Sequence, residues 1–352
     1  MGALKVGLAM SGGVDSTVAA ILLREQGFQV HGFFMVLPLP HQEHQERRVR
    51  EVAGRLALPL SLVDFRLHFA DTVIRAFVDS YRRGLTPNPC ILCNQAIKFG
   101  LLADHMRYSG MDRIATGHYA RIRMMNGQPF LARAADQGKD QSYFLARLSA
   151  AQIARCHFPL GEWTKEQAYR KASSLGLSFA GEESQDVCFL AAGLPEFLAG
   201  QGLDEQAGPV VDRHGRKLGE HRGCWRYTIG QRRGLGLPDA TPWYVIALDG
   251  PANRVVVGKN EDLLRDGCAI QDLQWMGVPP ALPWRGLVQL RSRHRPCAAV
   301  VDAEGPDSGR IVFDLPQRAI TPGQFAVFYQ DDRVVGSAVI GRTPSSPSEA
   351  RA

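Results

Sequence analysis

Three cysteines stand where thiol chemistry is possible. Cys90 and Cys93 have C-x-x-C spacing inside Thr86-Pro87-Asn88-Pro89-Cys90-Ile91-Leu92-Cys93-Asn94, and Cys188 sits in Ser184-Gln185-Asp186-Val187-Cys188-Phe189. C-x-x-C spacing serves redox pairs, zinc sites and iron–sulfur sites. No second C-x-x-C follows, which argues against a four-cysteine zinc site. Buried, inert thiols are the alternative, and the polar run before Cys188 argues against that for Cys188. The two prolines impose an extended approach to the first pair. A helix is expected over 95–104, which would put Cys93 near a helix N-terminus and lower its pKa.

A second stretch could hold phosphate. Ser11-Gly12-Gly13-Val14-Asp15-Ser16 follows an apolar run and precedes a segment rich in Ala, Leu and Val. Strand, Gly-Gly turn and helix start together make an anion site. Glycine permits positive φ and a close ligand, and the helix start offers free N–H groups and a positive dipole end. Ser11, Ser16 and Thr17 add hydroxyls. Asp15 is the odd member, because a carboxylate repels phosphate. A metal ion, or the backbone N–H groups at the helix start, would make it tolerable. The plain alternative is a βα turn with Asp15 as a helix cap. No Gly-Lys-Ser/Thr closes the stretch, so it is not the Walker motif.

The elements that must position these residues alternate. Strands are expected at 5–10, 30–35, 60–63 and 113–116, and helices at 43–56 and 70–82 between them. That rhythm predicts an α/β fold with a doubly wound parallel sheet, whose ligands sit at the carboxyl ends of its strands. The phosphate loop, Met35 and Gly117-His118-Tyr119 then share one rim. Asn126-Gly127 predicts a hairpin turn. Thr164 and Gln167 form a capping box and Gly176 a helix stop. After about 205 the pattern changes to short strands between Gly and Pro turns. Residues 208–218 and 226–237 read as a small β-rich region. Short strands within 271–340 read as a small barrel carrying the basic run Arg291-Ser292-Arg293-His294-Arg295. The Ser/Pro-rich tail from 343 reads as disordered. The expected division is 1–204, 205–268, 269–342 and 343–352.

Composition sets wider bounds. At 352 residues the chain exceeds one ordinary core. The hydrophobic share of 45% and charged share of 22% are those of a globular protein. A net charge of +6 permits a nucleic-acid partner without requiring one. No long apolar run predicts a membrane span and no signal-peptide pattern opens the chain, so a cytoplasmic location is expected. Seven cysteines, an odd number, argue against a secreted disulfide framework.

Taken in order, Ser-Gly-Gly-Val-Asp-Ser at Ser11, Thr-Pro-Asn-Pro-Cys at Thr86, Ala-Thr-Gly-His-Tyr at Ala115, Lys-Asp-Gln-Ser-Tyr-Phe-Leu at Lys139, Ser-Gln-Asp-Val-Cys-Phe at Ser184, Tyr-Thr-Ile-Gly-Gln at Tyr227 and Thr-Pro-Gly-Gln at Thr321 resemble the tRNA-specific 2-thiouridylases of the ATP-pyrophosphatase (PP-loop) superfamily. The hexapeptide is evidence at superfamily level; the cysteine motifs and Tyr-Thr-Ile-Gly-Gln are more specific. The resemblance implies that ATP adenylates the C2 oxygen of wobble uridine 34 and that sulfur then displaces AMP. It implies catalytic roles for Cys93 and Cys188, with Cys188 as persulfide carrier. It implies ATP contacts from Ala9, Met10, Ser11, Gly12, Gly13, Val14, Asp15, Ser16, Met35 and Gly117, with Mg2+ on the phosphates. Asn88, Pro89 and Cys90 would touch the target base, which must leave its stack. His118, Lys139, Asp140, Gln141, Arg291, Ser292 and Gln324 would touch tRNA. A sulfur donor of the cysteine desulfurase or sulfur-relay type is implied. Position 90 is Cys where some family members carry Asp, which leaves open a [4Fe-4S] cluster on Cys90, Cys93 and Cys188. The segment 37–45 is short and poor in acidic residues against the family pattern. Other PP-loop enzymes, such as argininosuccinate synthases and tRNA-lysidine synthases, need no paired cysteines in these motifs. A non-catalytic ATP- or RNA-binding module would have no use for Cys93 and Cys188.

Overall fold

The computed structural model describes residues 3–179, 187–190 and 193–342. Its contacts fall into two units. One comprises Met1–Ile74, Pro89–Ala191 and Asp332–Val335; the other comprises Arg75–Asn88, Ala192–Asp331 and Gly336–Ala352.

The first unit is built on β1 (Lys5–Ala9), α1 (Val14–Glu25), β2 (Gln29–Val36), α2 (Gln42–Arg55), β3 (Leu60–Asp64) and β4 (Arg113–Thr116). A hairpin follows, β5 (Arg121–Met125) and β6 (Gln128–Ala132), then the two-residue strand β7 (Cys156–His157). The sheet order is β3-β2-β1-β4-β7, and every pairing within it is parallel. This is the parallel α/β sheet that the alternating pattern predicts. Chain order reverses between β1 and β4, so the turns leaving these strands open a crevice at one sheet edge.

Apolar runs in β1 and β2 make sense once both faces are covered. Val6, Leu8 and Phe34 join Ala19, Leu23, Val49 and Val52 of α1 and α2 in one core. The outer face of α1, through Val14, Val18 and Leu22, packs on Tyr119, Ala168 and Ala172. The helix carrying Ala168, Lys165–Ser174, opens with the expected box: Thr164 Oγ1 accepts from Gln167 N at 3.2 Å, and Gln167 Oε1 accepts from Thr164 N at 2.7 Å. Asn126 and Gly127 both take positive φ, 51° and 74°, which closes the expected hairpin.

Helix starts differ from the sequence expectation in two places. Helical structure after β3 begins at Arg66, and after the Pro-rich stretch it begins at Pro89. Proline fits a first helical position, because its missing N–H is unneeded there and its φ is already helical. The segments Pro89–Leu92, Cys93–Leu102 and Ala103–Tyr108 follow one another, the middle one with the i→i+5 bonding of a π-helix.

The second unit holds two β assemblies. β8 (Gly208–Asp212), β9 (Lys217–His221), β10 (Tyr244–Asp249) and β11 (Arg254–Gly258) form a four-stranded sheet over Val210, Cys224, Val245, Val255 and Val257. Residues 226–237 form no strand: Arg226 ends the 3-10 turn Cys224–Arg226 and the rest run as a loop. The remaining strands are β12 (Leu264–Trp275), β13 (Trp284–Gln289), β14 (Cys297–Ala303), β15 (Ser308–Arg318), β16 (Phe325–Gln330) and β17 (Arg333–Ile340). Their order β12-β15-β14-β13-β16-β17 closes where residues 336–340 pair back with β12. Val288, Ala299, Val301, Ile311 and Phe328 fill the barrel. β12 starts earlier than expected, and the basic run 291–295 lies in the turn between β13 and β14 rather than on a strand.

Candidate functional site: a phosphate loop and three thiols

The loop after β1 has the geometry of an anion cradle. Gly12 takes φ +75°, and a Cβ there would lie 3.0–3.2 Å from the backbone of Arg48 and Val49. Both conformation and space therefore require glycine. Gly13 precedes α1 with no side-chain cap, so the first-turn N–H groups keep the orphan character that suits phosphate. The hydroxyls close the loop on itself. Ser16 Oγ donates to Gly13 O at 3.1 Å, Thr17 Oγ1 donates to the same carbonyl at 2.9 Å, and Ser16 Oγ accepts from Ser11 N at 3.2 Å. The residues present fit an ATP phosphate chain.

Asp15 is neither a cap nor bare. Lys165 Nζ donates to Oδ1 at 2.8 Å and to Oδ2 at 2.7 Å, and the Tyr119 hydroxyl donates to Oδ1 at 2.9 Å. Sequence reasoning passed over Lys165, which looks like an ordinary charged residue at a helix start. Tyr119 is held in turn by Gln141: Gln141 Oε1 accepts from Tyr119 N at 2.9 Å, and Gln141 N donates to Tyr119 O at 2.8 Å. Asp140 beside it accepts from Ala134 N, Ser142 N and Ser142 Oγ at 2.8–3.1 Å, and from Arg133 Nη1 at 3.3 Å. The motif at 139–144 thus braces the phosphate loop through Tyr119; Asp140 and Gln141 are engaged inside the protein.

At the end of β4, a Cβ on Gly117 would lie 2.9 Å from Asp15 C and Ser16 N. Gly117 is the spacer that lets β4 meet the start of α1 at the crevice. Met10 is buried, and Gly32 leaves room for its sulfur; Ala9 and Met35 are half-buried at the ends of β1 and β2.

The thiols lie in the same unit. Cys93 is buried, Cys90 half-buried and Cys188 exposed, and all are free. Cys188 feels the thiols of Cys93 and Cys90 electrostatically, so the fold brings together residues nearly a hundred positions apart. Burial pushes the Cys90 and Cys93 thiols up, and crowding by protein raises the Cys188 thiol too although the residue keeps exposed surface; the neighbouring thiols push Cys93 and Cys188 further the same way. This corrects the expectation of an acidic Cys93. With helix beginning at Pro89, Cys93 lies a turn inside, where desolvation outweighs any dipole effect. Lys98 opposes the shift at all three thiols.

His118 Nδ1 lies 2.7 Å from Thr116 Oγ1, with the rings of Phe99 and Phe158 about it. Burial, aided by Lys98, holds its pKa well below the ordinary value, so it is neutral. Asn94 is buried beside Cys93. Its Nδ2 donates to Phe144 O at 2.9 Å, and its Oδ1 has no partner among the described residues.

Ser184, Gln185 and Asp186 of the Cys188 motif lie outside the described residues, as does the tail from 343. Among the described residues no group of three or more His, Cys, Asp or Glu could hold a metal ion. The three thiols as placed therefore do not fit a cluster.

In the second unit, Gln324 Nε2 donates to Thr86 O at 2.8 Å and Pro87 O at 3.3 Å, fixing the turn that leads to Asn88. Arg291 is a strut. Its Nη2 donates to Ala319 O at 2.8 Å, Ile229 O at 3.2 Å and Thr321 Oγ1, tying in the Tyr227-Thr228-Ile229-Gly230-Gln231 loop. The carbonyls of Arg291 and Ser292 accept from Gln289 Nε2. Arg293 and Arg295 are exposed.

Comparison with known proteins places this architecture in a class. Residues 4–192 match the family model described as tRNA methyl transferase HUP domain. Residues 196–259 match the tRNA methyl transferase PRC-barrel domain, and 265–340 the aminomethyltransferase beta-barrel domain. Relatives align over nearly the full chain. The tRNA-specific 2-thiouridylase MnmA of Desulfotalea psychrophila is 45% identical, with 95% of this chain and 98% of the relative covered. That of Trichlorobacter lovleyi is 43% identical over 96% and 97%, and that of Syntrophotalea carbinolica 43% over 95% and 97%. The chain belongs to the tRNA-specific 2-thiouridylase family. No helix among the described residues is long and apolar enough to cross a membrane.

Proposed function

We propose that this protein is a tRNA-uridine 2-sulfurtransferase that uses ATP to convert uridine 34 of its tRNA substrates to 2-thiouridine, releasing AMP and pyrophosphate. The observation that carries the reading is the gathering of Cys90, Cys93 and Cys188 in the same unit as the phosphate loop, in a chain aligned end to end with 2-thiouridylases. Another adenylating PP-loop enzyme has no need of that trio.

Residues 9–16, Met35 and Gly117 would take ATP, with Mg2+ on its phosphates. The orphan N–H groups of α1 would stabilise the triphosphate as pyrophosphate departs. Adenylation turns the C2 oxygen into a leaving group. The terminal sulfur of a Cys188 persulfide then bonds to C2, and AMP leaves carrying the former C2 oxygen. The Cys93 thiolate, its proton lost to water, attacks the Cys188 sulfur. The S–S electron pair stays on the base as 2-thiouridine, and a Cys93–Cys188 disulfide remains for a thiol reductant to reopen. Asn88, Pro89 and Cys90 would line the base pocket. His118 and Lys139 would contact tRNA, as would the second unit through Ser292, Gln324 and the basic turn. A cysteine desulfurase or sulfur-relay protein would load Cys188. We place the activity in the cytoplasm, and a first domain boundary at 204/205 accords with the change from alternating helices to short strands, while the barrel takes in the whole of β12 from Leu264.

Nucleoside mass spectrometry of tRNA from cells lacking this protein tests the reading. 2-Thiouridine derivatives should vanish and return with the wild-type chain but not with Cys188→Ser. Unchanged 2-thiouridine in the deletion would overturn it.

A further inference from the structure

Loss of solvent raises three thiols that sulfur transfer needs as anions. Lys98 lies five residues after Cys93 in the π-helical segment Cys93–Leu102. In an α-helix that spacing would carry it away from Cys93, but an i→i+5 register sets it one turn along the same face. Lys98 is half-buried, and its ammonium has no hydrogen-bond or ion-pair partner among the described residues. It is also the one cation among the described residues that acts on all three thiols. Phe99, the next residue, packs on His118, whose pKa lies well below the ordinary value, so His118 adds no positive charge there.

We propose that Lys98 is a positioning residue for sulfur transfer, its ammonium steering the persulfide anion of Cys188 and the thiolate of Cys93 towards each other. The proposal rests on the thiolation reading above. The sulfur step it serves is the balanced exchange already written, in which negative charge passes from the persulfide to AMP and then from Cys93 to the sulfur of the base. An unpaired ammonium on the Cys93 face of this segment favours each anion where loss of solvent opposes it. Adenylation, one step earlier at the phosphate loop, does not depend on Lys98.

The test is single-turnover kinetics on full-length protein whose Cys188 has been loaded as a persulfide and quantified. Lys98→Met should release tRNA-dependent pyrophosphate within about twofold of wild type while 2-thiouridine formation falls at least about tenfold. Lys98→Arg should restore most of it, because the charge returns. Lys98→Gln carries the same expectation as Lys98→Met if the latter does not fold. Wild-type thiolation in Lys98→Met, or equal loss of pyrophosphate release and thiolation, would overturn the proposal. The parent reading has its own control: a Cys188→Ser protein that still thiolates would overturn both, whereas an inactive Cys188→Ser beside a fully active Lys98→Met overturns the role of Lys98 alone.

Discussion

Lys165 grips both carboxylate oxygens of Asp15, at 2.8 and 2.7 Å, across 150 residues of sequence. The pair resolves the oddity of a carboxylate in a phosphate loop. Asp15 serves as the anchor that ties the start of α1 to helix Lys165–Ser174, and it is countered by an ammonium and the Tyr119 hydroxyl.

Breaking both sides of that pair should cost less than the sum of breaking each alone. Lys165 is the better buried partner, and removing it leaves Asp15 with Tyr119 alone. Lys165→Met should destabilise the protein by roughly 1–3 kcal/mol and weaken ATP binding. In the Asp15→Asn/Lys165→Met double variant the losses should be less than additive, as urea denaturation would read. Strict additivity would mean that the ion pair contributes nothing.

Gly117→Ala should injure the same loop by crowding. The new methyl would lie 2.9 Å from backbone atoms of Asp15 and Ser16, which have no rotamer to yield. A cost of about 1–3 kcal/mol is expected. Equilibrium dialysis should show a clear loss of ATP affinity with tRNA binding kept.

His118 sets a pH dependence. Its folded pKa is well below the ordinary 6.5, so below about pH 6.5 the unfolded chain binds a proton that the folded chain refuses. Stability should therefore fall as pH drops from 7 to 5. His118→Gln should flatten that decline in denaturation midpoints; an unaltered slope would assign the acid sensitivity elsewhere. At the alkaline end the sign reverses. Thiols raised by burial bind protons longer when folded, so their contribution is lost as pH rises past 9.

The basic turn should divide by function. Arg291→Ala removes a guanidinium bonded to three protein oxygens and should lower the melting temperature. Arg293→Ala with Arg295→Ala should leave stability unchanged while reducing tRNA affinity and its dependence on salt, each phosphate contact changing the log–log slope by about one. An unchanged slope would make the pair a solvated turn.

What the sequence made legible was local. The run Ser11–Ser16 carries its turn, its glycines and its helix start within six residues, and Thr164 with Gln167 announces a helix by spacing alone. What stayed hidden depends on burial or on distant partners. Lys165 is an ordinary lysine until the fold brings Asp15 to it. The helix-start argument for an acidic Cys93 fails because no sequence pattern reports desolvation, and because Pro89 starts the helix a turn earlier than a breaker reading allows. Lys98 was passed over because a lone lysine on a helix reads as a solvated face. The resemblance assigns Asp140, Gln141 and Arg291 to tRNA contact; that their side chains also bond within the protein, to Tyr119, Ala134 and Ala319, is something no motif announces.

The central claim is ATP-driven sulfur insertion into tRNA, and the most direct measurement is product stoichiometry in one vessel. Purified protein with a stoichiometric Cys188 persulfide would be mixed with unmodified tRNA and ATP, without added iron. One AMP, one pyrophosphate and one 2-thiouridine at position 34 should form per persulfide consumed, with Cys93 and Cys188 ending as a disulfide. Formation of ADP instead of AMP, or thiolation only when stoichiometric iron is supplied, would contradict it.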